Sequence, residues 1–195
     1  MKTGETAAAG EVRRCGWVNL KNPASIQYHD HEWGRPHYDD GYFFELLILE
    51  SFQAGLSWEC ILNKREAFRA AFDGFDPAKV AVYDAGKQAA LMQDPGIVRN
   101  RRKIEAAVHN ASIFLEIQRE FGSFSGYIWK FTEGKQIVNR DGVLRATSPL
   151  SDAVSRDLKK RGMRFVGSTI IYSYLQAVGV VDDHEPDCAI GQGTR

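Results

Sequence analysis

The chain has 195 residues, 44% of them hydrophobic, with 25 Lys+Arg set against 25 Asp+Glu. That composition excludes wholesale disorder and gives no bulk charge with which to hold a polyanion, although a local basic face remains open. Three cysteines (Cys15, Cys60 and Cys188) are too few and too scattered for a disulfide scaffold. No apolar run approaches the roughly 18 residues of a membrane span, and the N-terminal MKTGETAAAGEVRR lacks the apolar centre of a signal peptide. The expectation is a cytoplasmic protein with a short tail over 1–11, a domain over 12–189 and a second tail over 190–195.

Helical spacing dominates the chain. Asp39 and Asp40 offer capping oxygens before Tyr42–Leu49, a run apolar nearly all round and so expected at the centre. Ile61, Leu62, Phe68, Ala71 and Phe72 give a second helical face, ended by Gly74 and Pro77. Ile104, Val108, Ala111 and Leu115 recur every three or four residues, the cleanest amphipathic pattern present. Ser151 is the expected cap of a helix over 152–161 that stops at Gly162, and a last apolar helix is expected over 168–178. Only 136–138 and 143–144 alternate as strands do. The reading is an all-α fold in two helical subdomains, one over about 75–135 and the other made of 12–74 with 136–189. A site between such lobes suits ligand binding.

Cys15-x13-His29 near the start and His184-x3-Cys188 near the end make a soft N/S set that suits tetrahedral zinc. Four protein ligands leave no open position, so such a zinc is structural and fastens the two ends of the chain together. Spacing alone equally allows ordinary buried residues in unrelated places. Cys60, beside Trp58, reads as a core thiol.

Around Pro95-Gly96 one helix breaks and another begins, beside Arg99, Arg101, Arg102 and Lys103. Free helix amides next to cations form a phosphate site of the kind that holds one DNA strand by its backbone. A solvated basic helix face has the same pattern. Lys159-Lys160-Arg161 with Arg164 is a second basic cluster. Trp17, Tyr28, Trp33 and Trp58 surround a helix in which Glu50 sits among apolar neighbours. Such rings with one carboxylate can sandwich a flat base and accept from its amino group. The alternative is that the rings fill the core and Glu50 faces solvent.

Arg14-Cys15-Gly16-Trp17, Tyr28-His29-Asp30, Glu32-Trp33-Gly34 and Glu50-x-x-Gln53-Ala54-Gly55-Leu56-Ser57-Trp58 together resemble the 3-methyladenine DNA glycosylase I family. Lys159-Lys160-Arg161-Gly162, Phe165-Val166-Gly167 and Asp183-His184-x3-Cys188 extend the likeness over about residues 13–189. The resemblance implies a helix–hairpin–helix glycosylase fold acting on double-stranded DNA that contains alkylated adenine, and a monomer is expected because it suits a protein that bends DNA around one face. It implies structural Zn2+ on Cys15, His29, His184 and Cys188. It further implies a base pocket of Glu50, Trp17, Tyr28 and Trp58 with Ser173 at its edge, and a hairpin at Pro95–Arg99 whose Gly96, Ile97 and Arg99 meet DNA. Leu56 is either a wedge that fills the gap left by an extruded base or a core leucine.

Two positions depart from the family pattern. Ser25 stands where many members carry a tyrosine, and Arg99 where hairpins often carry a second glycine. The stretch 103–132 contains no aspartate, the residue with which most helix–hairpin–helix glycosylases activate water or stabilise the sugar cation. Two other classes remain: a non-catalytic, zinc-stabilised module for distorted duplex, and a zinc hydrolase, against which a closed four-ligand set argues.

Overall fold

The computed structural model describes residues 12–191, and the expected tail over 1–11 lies outside the described residues, as do 192–195. Of the expected 190–195 tail, Ile190 packs against the core and the Gly191 carbonyl accepts from Arg140.

The described residues form ten α-helices, a single 3-10 turn over Asp73–Phe75 and one short parallel strand pair. Helix α1, Pro23–His31, starts where the Asn22 side chain accepts the Ala24 N–H. Helix α2, Asp40–Gln53, is capped by Asp39 and buries every residue from Phe43 to Phe52. It is the axis of the molecule. The stretch read as one helix over 61–72 is two, α3 (Trp58–Leu62, capped by Ser57) and α4 (Arg65–Ala71). The joint at Asn63-Lys64 lets both turn their apolar sides to the same core.

Short helices α5 (Pro77–Val80) and α6 (Ala85–Leu91) follow, capped by Asp76 and Asp84. Helix α7, Arg101–Phe121, is the longest and starts at an Asn100 cap; α8 is Phe124–Lys130. Helix α9, Pro149–Lys160, is capped by Ser148 rather than the expected Ser151. Ser151 closes the reciprocal half of the capping box, its hydroxyl accepting the Ser148 N–H at 2.8 Å. Helix α10 covers Ser168–Ala177.

Strands β1 (Ile137–Val138) and β2 (Val181–Asp182) pair in parallel, Ile137 opposite Val181. Val143-Leu144 forms no strand, and Leu144 is 95% exposed. Helices α7, α8 and α10 pack around α2, and one continuous cluster of buried side chains fills the space between them. No helix among the described residues is long and apolar enough to cross a membrane.

Candidate base pocket and metal-ligand cluster

Beside α2 lies a cavity of about 310 Å³. Tyr28 from α1, Glu50 from α2, Trp58 from α3 and Ser173 from α10 line it, with Trp17 from the segment before α1. The Tyr28 ring stands 5.1 Å from Trp58 and 6.3 Å from Trp17, and Trp17 meets Trp33 edge-on at 5.0 Å. The rings thus form walls rather than one packed stack. The Trp58 indole Nε1 is buried and has no hydrogen-bond partner among the described residues.

Glu50 is only 3% exposed, so it does not face bulk solvent. No described side chain donates to it, and burial alone pushes its carboxyl up to about 8. An unpaired carboxyl at the wall of an aromatic cavity is held neutral near pH 7 and becomes a strong acceptor once a cation or donor arrives. The far wall holds a second carboxylate of opposite character: Asp183 accepts from Tyr172 at 2.6 Å, Gln176 at 2.7 Å and Asn139 at 2.6 Å. Ser25 does not line the cavity; it is buried, and its hydroxyl accepts the Asn19 N–H.

The mouth is formed partly by 139–145, a segment in which sequence patterning marked no site. Leading into α3, the α2–α3 turn exposes Leu56 to 39%. Gln53 Nε2 donates to the Leu56 carbonyl and the Leu56 N–H donates back to the Gln53 carbonyl, both at 2.7 Å. Gly55 supplies the φ of +82° that this tight reversal requires.

Behind Tyr28, the ligand atoms of Cys15, His29 and Cys188 lie within 4.8 Å of one another, all buried, a group able to hold a metal ion. His184 stands outside that group, its ring 5.0 Å from His29. Its Nδ1 is engaged by Asp182 at 2.6 Å, and its buried Nε2 has no partner among the described residues. His29 is held alike, Nδ1 to Asp30 at 2.8 Å. An arginine grips each carboxylate in turn: Arg14 donates to Asp30 at 2.7 Å and Arg140 to Asp182 at 2.5 Å.

Arg14 holds the Asp30 carboxyl below its usual range. Burial would raise Asp182, but the donors His184 and Arg140 bring it to about 2. Both imidazoles are therefore orientated with Nε2 inward, the arrangement of carboxylate-backed metal ligands. Burial pushes the bare Cys15 thiol up to about 12, a cost that a cation reverses. Gly34 must be glycine here: at φ +70°, a Cβ would lie 2.9 Å from His184 Cε1. Cys60, by contrast, is half-buried and not a member of this cluster.

The expected phosphate face is altered by two lysines and an arginine. Lys103 is buried and turned inward, its ammonium 2.7 Å from the Phe52 and Ala54 carbonyls. Lys64 holds the Pro95 and Gly96 carbonyls at 2.9 and 3.2 Å. The Gly96 N–H is taken by Asp94 at 2.7 Å, and Ile97 is buried, whereas Arg99, Arg101 and Arg102 are exposed. In the second basic cluster Arg161 is bound to Glu120 at 2.6 Å and Asp157 at 3.0 Å and lies over the Phe121 and Tyr127 rings. Arg164 remains on the surface beside Arg102, while the buried Asn110 brackets its backbone N–H and carbonyl.

A helical protein with an aromatic cavity walled in part by one unpaired carboxyl, backed by a Cys/His cluster, and with exposed arginines at the start of its longest helix, has the form of a base-binding enzyme of nucleic acid. The methyladenine glycosylase family matches residues 17–191, and the chain belongs to that family. It is 43% identical over 187 residues to DNA-3-methyladenine glycosylase 1 of Escherichia coli (strain K12), spanning 94% of this chain and 100% of that protein. The solved 3-methyladenine DNA glycosylase I from Staphylococcus aureus, described as showing the basis of 3-methyladenine recognition, superposes with a TM-score of 0.89 at 38% identity. That likeness covers 95% of this chain and all of the other. A tyrosine-to-phenylalanine variant of 3-methyladenine DNA glycosylase I in complex with 3-methyladenine gives 0.85 at 39% identity, over 88% and 94% of the two chains.

Proposed function

We propose that this protein is a DNA repair glycosylase that extrudes 3-methyladenine from alkylated double-stranded DNA, hydrolyses its bond to the sugar and leaves an abasic site. One observation carries the reading: Glu50 is buried, unpaired and set in the wall of an aromatic cavity of base dimensions. Membership of the methyladenine glycosylase family over 17–191 supports it.

Adenine methylated at N3 is positively charged while still attached to deoxyribose. Its C1′–N9 bond breaks with the electron pair going to the base, which leaves neutral and needs no proton from the enzyme. Water adds to C1′ of the sugar cation and gives up a proton to solvent. The protein's work is therefore selection and orientation. Trp17, Tyr28 and Trp58 receive the flat base, Ser173 closes its edge, and Glu50 loses its proton to pair with the cation and accept from its amino group. A neutral adenine offers no charge to offset ionisation of Glu50 and is disfavoured. Leu56 fills the space vacated in the duplex. The hairpin approaches one strand with the Ile97 N–H and the Arg99 side chain. Gly96 permits that turn, since a Cβ there would lie 2.9 Å from Ala67 Cβ.

The metal in this reading is zinc, held by Cys15, His29, Cys188 and the inward Nε2 of His184. Two thiolates with two imidazoles suit it, and the unpartnered Nε2 supports the fourth ligand. Its contribution is structural, joining the segment before α1 to the segment after β2. In this division 12–74 and 136–189 hold base and metal, 75–135 holds the hairpin, and the enzyme acts as a monomer. Every residue lining the cavity falls in the former two segments.

Incubation with methylated duplex DNA, followed by identification of the released base, tests the reading. Release of 3-methyladenine is expected. Tight DNA binding with no released base would favour the alternative, a non-catalytic module for distorted duplex.

A further inference from the structure

Helix α2 carries Glu50 and ends at Gln53; Ala54 leaves helical geometry (φ −47°, ψ 113°), and the turn amide of Leu56 serves the Gln53 carbonyl but not those of Phe52 and Ala54. The carbonyls there need other donors. Lys103, from the first turn of α7, supplies them: its ammonium lies 2.7 Å from both the Phe52 and the Ala54 carbonyl. Those two acceptors bracket Gln53, the residue that closes the turn displaying Leu56 through two bonds of 2.7 Å. The lysine is only 6% exposed and pairs with no carboxylate among the described residues, where its acceptors are these two carbonyl dipoles. Its sequence neighbours Arg101 and Arg102 face solvent. One helical turn thus presents arginines outward and grips the end of the Glu50 helix inward.

We propose that Lys103 is a positioning residue, which sets the Gln53–Ser57 turn, with Leu56 at its tip, relative to the arginine face of α7. Extending the glycosylase reading, this makes the phosphate grip and the element that fills the duplex one rigid unit, so that a backbone held at α7 is presented with Leu56 at a fixed offset. Lys64 joins the same two regions in the opposite direction, running from the α3–α4 joint to the Pro95 and Gly96 carbonyls. Misplacement of a positioned group by about 1 Å is worth on the order of a hundredfold in rate.

The test is a double-mutant cycle of Lys103→Met with Leu56→Ala, read as single-turnover release of 3-methyladenine from duplex DNA, with amide exchange and free-base affinity measured alongside. Lys103→Met is expected to slow release by roughly 10- to 100-fold and to speed exchange selectively over 53–57, while affinity for free 3-methyladenine stays within about threefold. The double variant should be no slower than the slower single by more than about threefold, because both act through one turn. Multiplying effects, unchanged exchange at 53–57, or an equal rise in exchange across the chain would overturn the proposal. If Lys103→Met does not fold, Lys103→Gln, which keeps one donor group, runs the same cycle. Failure of the parent protein to release base would defeat the glycosylase reading, and the exchange measurement would still decide the clamp.

Discussion

Glu50→Gln removes an ionisable group from a site where burial is the sole cause of its perturbation. A carboxyl near 4.5 in the unfolded chain and near 8 in the fold binds its proton more tightly when folded. Its contribution to stability is therefore fully present below pH 4.5 and is lost as pH rises through 8, beyond which the penalty is constant. At about 1.36 kcal/mol per pH unit the full penalty is about 5 kcal/mol, and water entering the cavity reduces it to about 2–5 kcal/mol. Glutamine keeps the shape and cannot ionise. Thermal unfolding of both proteins from pH 5 to 9 should show the variant gaining on the parent as pH rises, by a Tm difference of about 5–15 °C between those limits. All other titrating groups are shared and cancel. Parallel Tm–pH curves would refute the reasoning, for they would mean that Glu50 is solvated or already paired.

Three further outcomes follow from the same geometry. Alanine at Tyr28 or Trp58 should weaken binding of free 3-methyladenine by about 1–3 kcal/mol by titration calorimetry, if these rings stack on the base. The purified protein should carry one zinc per chain by elemental analysis, and Asp30→Ala or Asp182→Ala should each weaken it by about 10- to 100-fold by freeing the imidazole behind it; a stable, fully metal-free protein would contradict this. Arg102→Ala should lower the slope of log K for duplex binding against log salt by about one, whereas Arg161→Ala should lower Tm and leave that slope unchanged, because Arg161 is already spent on Glu120 and Asp157.

The elements legible in the sequence are those whose period meets one core. Asp39 capped α2, and α10 ended within a residue of its expected limit, because α2 is buried from Phe43 to Phe52 and α10 sets Ile171, Tyr172, Tyr174, Leu175 and Ala177 into the same core. Joints were less visible. The apolar pattern of Ile61, Leu62, Phe68, Ala71 and Phe72 runs on across the break at Asn63-Lys64, since period reports a face and not continuity. At α9 both Ser148 and Ser151 suit a cap, and Pro149 at the first helical position was the signal that decides for Ser148.

Trp17, Tyr28, Glu50, Trp58 and Ser173 line one cavity, and three of the four expected metal ligands form one group, with His184 alongside. What the sequence concealed was orientation. Lys103 looked like one of four basic side chains, yet it lies four residues before Ala107 and seven before Asn110, both buried, and so belongs to the inward face of α7. Arg161 is set by Asp157 one turn earlier and by Glu120 from a distant helix, and only the first of these is local. The 139–145 segment has no period, and the parallel pairing of β1 with β2 brings it to the cavity.

The central claim is that an ionised Glu50 receives a cationic base, and single-turnover excision across pH tests it most directly. With the parent protein at subsaturating concentration, the rate of 3-methyladenine release should rise about tenfold per pH unit at low pH, bend at about pH 8 and level off above it, as the buried carboxyl loses its proton. Glu50→Gln should be slow and flat over the same range. A variant that excises as fast as its parent would contradict the account.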